Sequence, residues 1–328
     1  MSNLLGERDG LRVVFDDRRG YARLETLPSQ AEIDRLYAGS FWAAKGDEQA
    51  VRREQAAWWD LHYGDWLELA RPHLPGTFPT LLDIGSGFGY FLRAAHRHGF
   101  GLVVGCDPNP DAFAEARQVL GEAEARTTDI VRDREREWVV AGEFFTRFGR
   151  FALVNGKAND LVLAQTAFDA DSPTFDLVSA LWVMEHLADP EQFLTSVRGY
   201  LKPGGVFVVA VPSDFNALQL QVVDDGLSAR PYWWIDPTHL NYWTPATFAN
   251  FLGRHGFRVA AQTTMYPMER FILDGEQDYP ADSTLGPTLH TAVRAEDAEM
   301  EREERIDHYQ HLALGGQGRE IVMICIKE

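Results

Sequence analysis

A glycine-rich turn between an apolar strand and an amphipathic helix constrains this chain more than any other feature. Residues Thr80–Ile84 have the pattern of a buried β-strand, residues 85–89 hold three glycines, and a helical pattern starts at Phe91. Glycine permits a tight turn and close approach of a ligand, because it has no Cβ. The first N–H groups of the helix favour an anionic group. The turn therefore predicts a bound cofactor.

Apolar strands alternate with amphipathic helices after this turn, which is typical of a doubly wound, mostly parallel α/β sheet. We predict seven strands, at 80–84, 102–106, 151–154, 175–181, 206–211, 257–262 and 320–326. Helices are predicted at 91–98, 190–201 and 244–255. The prediction divides the chain into an N-terminal cap (1–78), a cofactor-binding domain (79–264 with 319–328) and an insertion that forms a lid (265–318).

Three local patterns outside the main sheet carry further predictions. Residues 11–26 read as a β-hairpin, and residues 111–148 read as charged and helical. Within the insertion, Ala295–Leu312 reads as one acidic helix and Gly315–Gly318 as a flexible segment.

The charge balance limits the partners that this chain can bind. The sequence has 31 Lys and Arg against 49 Asp and Glu, a formal charge of −18. This charge repels nucleic acid and anionic membranes, and it favours a neutral or cationic small molecule. No leader or membrane-spanning segment is evident, and Cys106 and Cys325 have no metal-ligand spacing. We therefore expect a cytoplasmic protein without a metal site.

Asp107 ends the second predicted strand, where a carboxylate can accept hydrogen bonds from ribose hydroxyls. Two cofactor classes use this arrangement. The dinucleotide fingerprint Gly-x-Gly-x-x-Gly needs a glycine where this chain has Tyr90, whose bulk would obstruct helix packing. A nicotinamide oxidoreductase is therefore disfavoured. In a purely structural alternative, the glycines only form a turn and Asp107 caps the next helix.

Three sequence blocks resemble the class I S-adenosylmethionine-dependent methyltransferases. These blocks are Asp83–Gly89 with Asp107, Phe175–His186, and the turn Leu201–Gly205. The resemblance implies a Rossmann-like fold with S-adenosylmethionine as cofactor. It implies that Asp83 and Gly85 lie by the methionine part, that Asp107 binds the ribose and that Pro108 borders the adenine. The implied cofactor residues are Asp83, Gly85, Ser86, Gly87, Gly89, Asp107, Pro108, Asn109 and Asp160.

An aromatic segment after the fifth strand, residues 231–245, is the candidate acceptor site. His239 has the pKa range of a general base, and Asp236 is close enough in sequence to orient it. The segment is similar to the His-x-x-Tyr-Phe-Ser segment of small-molecule methyltransferases, including sugar methyltransferases. The candidate substrate residues are Tyr232, Trp233, Trp234 and Tyr242. An aromatic core with a structural histidine remains the alternative.

His186, in the Glu185–His186 pair, is the third candidate catalytic residue, and a structural role in the turn is equally open. Together these features predict a methyltransferase that acts on a small organic molecule, such as a sugar or secondary metabolite, at oxygen. Two alternatives are transfer to carbon or nitrogen, and a non-catalytic S-adenosylmethionine-binding subunit.

Overall fold

The computed structural model describes residues 3–35, 51, 53–127, 139–140, 145–148, 151–155, 174–214, 216–227, 238–275 and 285–328. Two compact units account for the chain. The first unit contains Met1–Leu27, Met184–Pro190 and Ala210–Cys325, and the second contains Pro28–Val183, Glu191–Val209 and Ile326–Glu328.

The described strands are, in chain order, β1 (Asn3–Arg8), β2 (Leu11–Asp16), β3 (Tyr21–Leu24), β4 (Thr80–Ile84), β5 (Leu102–Asp107), β6 (Val139–Val140), β7 (Phe145–Phe148), β8 (Phe151–Asn155), β9 (Phe175–Leu181), β10 (Leu201–Pro212), β11 (Asn241–Tyr242), β12 (Phe257–Thr263) and β13 (Glu320–Lys327).

The described helices are α1 (Gln30–Arg35), α2 (Ala56–Ala70), α3 (Tyr90–Arg97), α4 (Pro110–Thr127), α5 (Pro190–Tyr200), α6 (Ala217–Asp224), α7 (Pro245–Arg254), α8 (Glu269–Leu273), α9 (Leu285–Glu299) and α10 (Arg302–Leu314). Short 3₁₀ turns lie at Arg71–His73 and Met184–His186.

The second unit has a mostly parallel sheet of order β10-β9-β4-β5-β8-β7-β6. The pairs β9–β4, β4–β5 and β5–β8 are parallel, and α3 and α4 pack against this part of the sheet. Consecutive residues such as Leu81 and Leu82 are both fully buried, as expected for a strand that is covered on both faces. The chain therefore has the predicted doubly wound α/β fold.

A hydrogen-bonded ion pair joins the start of β10 to the starts of β9 and β4. The Asp176 carboxylate accepts hydrogen bonds from Lys202 Nζ at 2.8 Å and from the backbone N–H and hydroxyl of Thr80, each at 2.8 Å. Lys202 opens the Lys-Pro-Gly-Gly sequence of one of the three sequence blocks, which was predicted as a turn and lies within the bounds of β10. The structure thus gives this block a role in joining strands.

The first unit contains two further groups of strands. Antiparallel pairs join β1, β2, β3 and β11 into one sheet in that order. The hairpin predicted for residues 11–26 is confirmed by β2 and β3. Strands β12, β13 and β10 are neighbours in that order, and β10 runs through both units because the division falls after Val209.

The prediction of a helix over residues 111–148 was wrong in its second half. Helix α4 ends at Thr127, and Val139–Val140 and Phe145–Phe148 form strands that pair antiparallel next to β8. These residues are rich in β-branched and aromatic types, which suit strands. They add two strands to the seven that were predicted.

The single helix predicted over Ala295–Leu312 was also wrong, because α9 ends at Glu299 and α10 starts at Arg302. The buried Arg305 side chain donates hydrogen bonds to the carbonyls of Asp297, at 3.2 Å, and Met300, at 2.9 Å. Carbonyls at a helix end have no partner within the helix. Arg305 satisfies them and stabilises the break.

Candidate functional site

The glycine turn after β4 adopts the backbone conformation that the sequence predicts. Gly85, Gly87 and Gly89 have φ values of +74°, +49° and +77°, a region that other residues rarely enter. A Cβ on Gly85 would lie 2.5 Å from Val183 Cγ2, and a Cβ on Gly89 would lie 3.2 Å from Ala116 Cβ. At these two positions, the space that glycine leaves is therefore filled by side chains of the protein, whereas we expected a ligand there.

Gly105 in β5 packs against this turn, and sequence reasoning missed it. A Cβ on Gly105 would lie 2.7 Å from Ser86 Oγ and 2.6 Å from Leu92 Cδ1. Gly105 therefore makes room for Ser86, which is itself buried. A glycine inside a strand is the signal that points to such a close approach.

Asp107 links the glycine turn to the loop after β5. Its Oδ2 atom accepts a hydrogen bond from the Gly87 N–H at 2.9 Å, and its Oδ1 atom accepts one from the Asn109 N–H at 2.8 Å. Burial raises the pKa of Asp107 to about 6, although both N–H groups lower it. The Asn109 side chain accepts from the N–H groups of Asp111 and Ala112, so Asn109 caps α4 instead of Asp107.

Asp83, at the end of β4, is the second buried carboxyl of this site. Its Oδ1 atom accepts a hydrogen bond from Ser179 Oγ at 2.8 Å. Burial raises the pKa of Asp83 to about 7, the Ser179 hydrogen bond lowers it and the charge of Asp107 raises it. Two buried carboxyls beside a glycine turn fit a ligand that carries ribose hydroxyls and cationic groups, as S-adenosylmethionine does.

The two remaining predicted cofactor residues lie further along the chain. Pro108 is exposed beside the buried Asn109. Asp160 lies outside the described residues.

A second group of polar residues lies in the first unit, where the 3₁₀ turn Met184–His186 meets the segment that contains His239. The Asn241 side chain donates hydrogen bonds to the carbonyls of Met184, at 3.0 Å, and Leu187, at 2.7 Å. The Leu240 N–H donates to the Glu185 carbonyl at 2.6 Å. These bonds join two distant parts of the sequence. Sequence reasoning missed Asn241, although it follows His239 closely.

The side chains of Glu185, His186 and His239 come together at this junction, and we call them the Glu–His–His cluster. His186 Nδ1 lies 2.8 Å from the Thr238 carbonyl oxygen, and the two histidine rings lie 5.0 Å apart. His186 Nε2 lies 3.7 Å from Glu185 Oε1. One ligand atom of each residue lies within 4.8 Å of the others. Glu185 and His186 are buried, whereas His239 is half-buried.

The other predicted acceptor residues have different positions. Tyr242 is buried in β11 with 1% of its surface exposed, and its ring lies 6.4 Å from that of His239. The predicted residues outside the described part of the chain are Tyr232, Trp233, Trp234 and Asp236.

Trp182 is a strained residue in the second unit that the sequence did not reveal. It follows β9 directly and has a φ of +56°, which is unusual for a bulky side chain. Its ring contacts Trp59 and Trp66 at centroid distances of 5.4 and 6.0 Å. Such strain is kept when the surroundings over-determine a conformation, often near a functional site.

Comparison with known proteins gives the family of this chain. The model of a methyltransferase-domain family matches residues 52–262. The chain therefore belongs to this family, the class I S-adenosylmethionine-dependent methyltransferases.

Curated relatives include O-methyltransferases and tRNA-modifying enzymes. The ubiquinone biosynthesis O-methyltransferase of Azorhizobium caulinodans is 27% identical over 240 residues, which cover 70% of this chain and 79% of the relative. The tRNA U34 carboxymethyltransferase of Methylococcus capsulatus is 26% identical over 62% of this chain and 52% of the relative. The first relatives are matched over about half of their length, 44% and 52%.

One solved structure covers almost the whole chain. It belongs to a complex between the Trm112 methyltransferase activator of Haloferax volcanii and a methyltransferase, with 20% identity and a TM-score of 0.48 over 92% of this chain and 99% of that chain. Among the residues described here, no helix is both long enough and apolar enough to cross a membrane.

Proposed function

We propose that this protein transfers a methyl group from S-adenosylmethionine to an oxygen atom of a small organic acceptor. The observation that carries this proposal is the Glu–His–His cluster, which holds the half-buried His239 beside His186. O-methyltransferases among the relatives support transfer to oxygen. The acidic balance of the chain supports a small neutral or cationic acceptor over nucleic acid.

We propose that the glycine turn and the two carboxyls Asp83 and Asp107 hold the cofactor. When bound, S-adenosylmethionine supplies a methyl group that is attached to a positively charged sulfur, and the remainder of the cofactor leaves as S-adenosylhomocysteine. The ionised carboxyl of Asp107 accepts hydrogen bonds from the ribose, and Asp83 offsets cationic charge on the methionine part. We place Ser86 in the same cradle, with Pro108, Asn109 and Asp160 on the adenine side.

In its simplest form, the mechanism uses His239 as the general base. A hydroxyl is a weak nucleophile until its proton is removed, and a positioned base contributes roughly 10² to 10⁴ in rate. Half-burial leaves the His239 ring accessible, and His186 lies beside it. Asp236, Tyr232, Trp233 and Trp234 remain candidates for orienting the base and enclosing the acceptor. Tyr242 supports His239 from within the sheet.

Cys106 and Cys325 are buried and form no disulfide with each other. This fits a reducing compartment such as the cytoplasm, which we keep as part of the proposal.

The test is an assay of S-adenosylhomocysteine formation with methyl-labelled cofactor and a panel of phenols, sugars, nucleotide sugars and amines. We expect label on a hydroxyl acceptor. We expect His239→Ala to lose roughly 10² to 10⁴ of the rate, and the control His311→Ala, at an exposed position on α10, to keep it.

Three outcomes contradict the proposal or one of its parts. Cofactor binding without product from any acceptor would leave a non-catalytic binding protein, and label on nitrogen or carbon would replace the O-methyltransferase assignment. An unchanged rate in His239→Ala would remove this residue from the reaction.

A further inference from the structure

The geometry of the Glu–His–His cluster points to a binding site for one divalent transition-metal ion, held by Glu185, His186 and His239. This inference rests on the proposed function, because it assigns the bound ion to the acceptor's hydroxyl. It also departs from the sequence, from which we expected no metal site.

The spacing of the donor atoms is the first argument. One ligand atom of each residue lies within 4.8 Å of the other two. Ligands that bind one zinc ion at about 2.1 Å lie about 3.5 Å apart. His186 Nε2 and Glu185 Oε1, at 3.7 Å, are already near this separation, yet they are too far apart for a direct hydrogen bond. A small inward shift of the half-buried His239 ring would complete a three-ligand site.

The protonation of His186 is the second argument. A carbonyl oxygen only accepts hydrogen bonds, so the contact of 2.8 Å with the Thr238 carbonyl places the proton of the neutral ring on Nδ1. The lone pair is then on Nε2, the atom that faces Glu185. Histidines that bind metal usually donate their other ring N–H to a carbonyl or carboxylate in this way. His186 is therefore oriented as a ligand.

The burial and support of the cluster form the third argument. The Glu185 side chain is 1% exposed. A cation bound by its carboxylate would be shielded from water, and the attraction between the two charges is stronger there than in bulk water. Hydrogen bonds from Asn241 and from the Leu240 N–H fix the backbone on both sides of Glu185. The backbone that carries Glu185 and His186 is thus fixed before any ion binds.

The donor set indicates which ions bind and what they do. Two imidazoles and one carboxylate suit Zn²⁺ and similar ions, whereas Mg²⁺ and Ca²⁺ prefer oxygen ligands alone. Three protein ligands leave a position for an acceptor hydroxyl, whose acidity rises when it binds the ion. The O–H bond then breaks, the proton passes to water and the electron pair stays on oxygen. With the ion bound, His239 is a metal ligand. The ion then takes the place of His239 as the group that activates the acceptor hydroxyl.

The test is calorimetric titration of Zn²⁺ into the full chain, prepared without a histidine tag and stripped with a chelator. We expect one equivalent to bind to wild type and to the control His311→Ala, whose ring bonds to its own helix at the Asp307 carbonyl. We expect His239→Ala and Glu185→Gln to lose affinity by at least about 100-fold, more than the loss of an outer-shell partner causes. Bound Zn²⁺ should also raise the melting temperature of wild type.

Melting curves without metal show whether each variant folds. His239→Ala changes a half-buried position, so its Zn²⁺ affinity tests the metal site even if Glu185→Gln does not fold. Equal Zn²⁺ affinity in wild type and His239→Ala, or no binding by wild type, overturns the metal site. Methyl transfer by protein from which the chelator has removed all metal overturns only this inference, because the reaction then needs no ion. Zn²⁺ binding without S-adenosylhomocysteine from any acceptor overturns the proposed function and leaves the metal site standing.

Discussion

Asp83 shows how the fold changes the chemistry of a single residue. The carboxyl is 2% exposed, and its pKa rises from 3.8 to about 7 mainly because burial disfavours the charged form. Without the cofactor, the folded protein therefore favours the neutral carboxyl more than the unfolded chain does. This contribution to stability is fully present below about pH 4 and is lost as the pH rises through about 7. Asp107 acts in the same direction, with a folded pKa of about 6.

We expect the cofactor-free protein to lose stability between about pH 4 and about pH 7, and Asp83→Asn to flatten this decline. Asparagine has nearly the same shape and no charge, so it removes the cost of ionisation, which is about 4 kcal/mol at most for a shift of this size. Melting temperatures of wild type and variant across this range measure the effect. The exposed Asp225→Asn on the first unit serves as the control.

A parallel decline in wild type and Asp83→Asn would show that Asp83 is ionised in the folded protein throughout this range.

At the scale of elements, the β4–α3 turn depends on two separate properties of Gly85. Its φ of +74° is costly for any L-residue, and a Cβ would also lie 2.5 Å from Val183. Gly99 offers a matched comparison, because it has a φ of +86° and a Cβ added there would have nothing within 4 Å. Comparing substitutions at Gly85 and Gly99 therefore separates the cost of backbone strain from the cost of steric overlap.

We expect Gly99→Ala to lower the free energy of unfolding by about 1–2 kcal/mol, the cost of a left-handed conformation. We expect Gly85→Ala to cost about 1–3 kcal/mol more, because Val183 must move, and to weaken S-adenosylmethionine binding. Chemical denaturation and calorimetry measure the two effects. Equal destabilisation by the two substitutions, with cofactor affinity intact, would contradict the role given to the Gly85–Val183 contact.

Elements with a strong local pattern were predictable from the sequence, and elements that depend on distant partners were not. Strands β4 and β9 have the predicted bounds, because continuous apolar runs between breakers identify buried strands. Strand β11 has two residues and exists through its pairing with β3. The break between α9 and α10 depends on Arg305, a contact that helical periodicity does not contain.

The same distinction applies to the sites. The glycine turn was predictable because its residues are consecutive and their backbone requirement is local. The Glu–His–His cluster was predictable only as separate residues, since its assembly depends on Asn241 hydrogen bonds to Met184 and Leu187. The sequence does not show which carbonyls a distant amide will reach.

At the scale of the whole molecule, the formal charge of −18 opposes binding to polyanions. Association with RNA depends on Lys and Arg that displace counterions from phosphates, and a net negative field lowers the rate of encounter. Relatives named as tRNA U34 carboxymethyltransferases make this a question worth measuring. The described part of the chain includes basic residues, such as Arg93 and Arg97, that are paired with a carboxylate, Asp60.

We expect bulk tRNA to be neither bound nor labelled by this protein when methyl-labelled cofactor is supplied. Filter binding at 50 mM and 200 mM salt checks the first point, and label in precipitated RNA checks the second, with a small-molecule acceptor as the positive control. Electrostatic binding would weaken by about 10³-fold or more between these salt concentrations if six or more phosphates were contacted. If the protein retains tRNA on the filter at 50 mM salt and loses it at 200 mM salt to this extent, a local basic surface overrides the net charge. That result would favour an RNA acceptor.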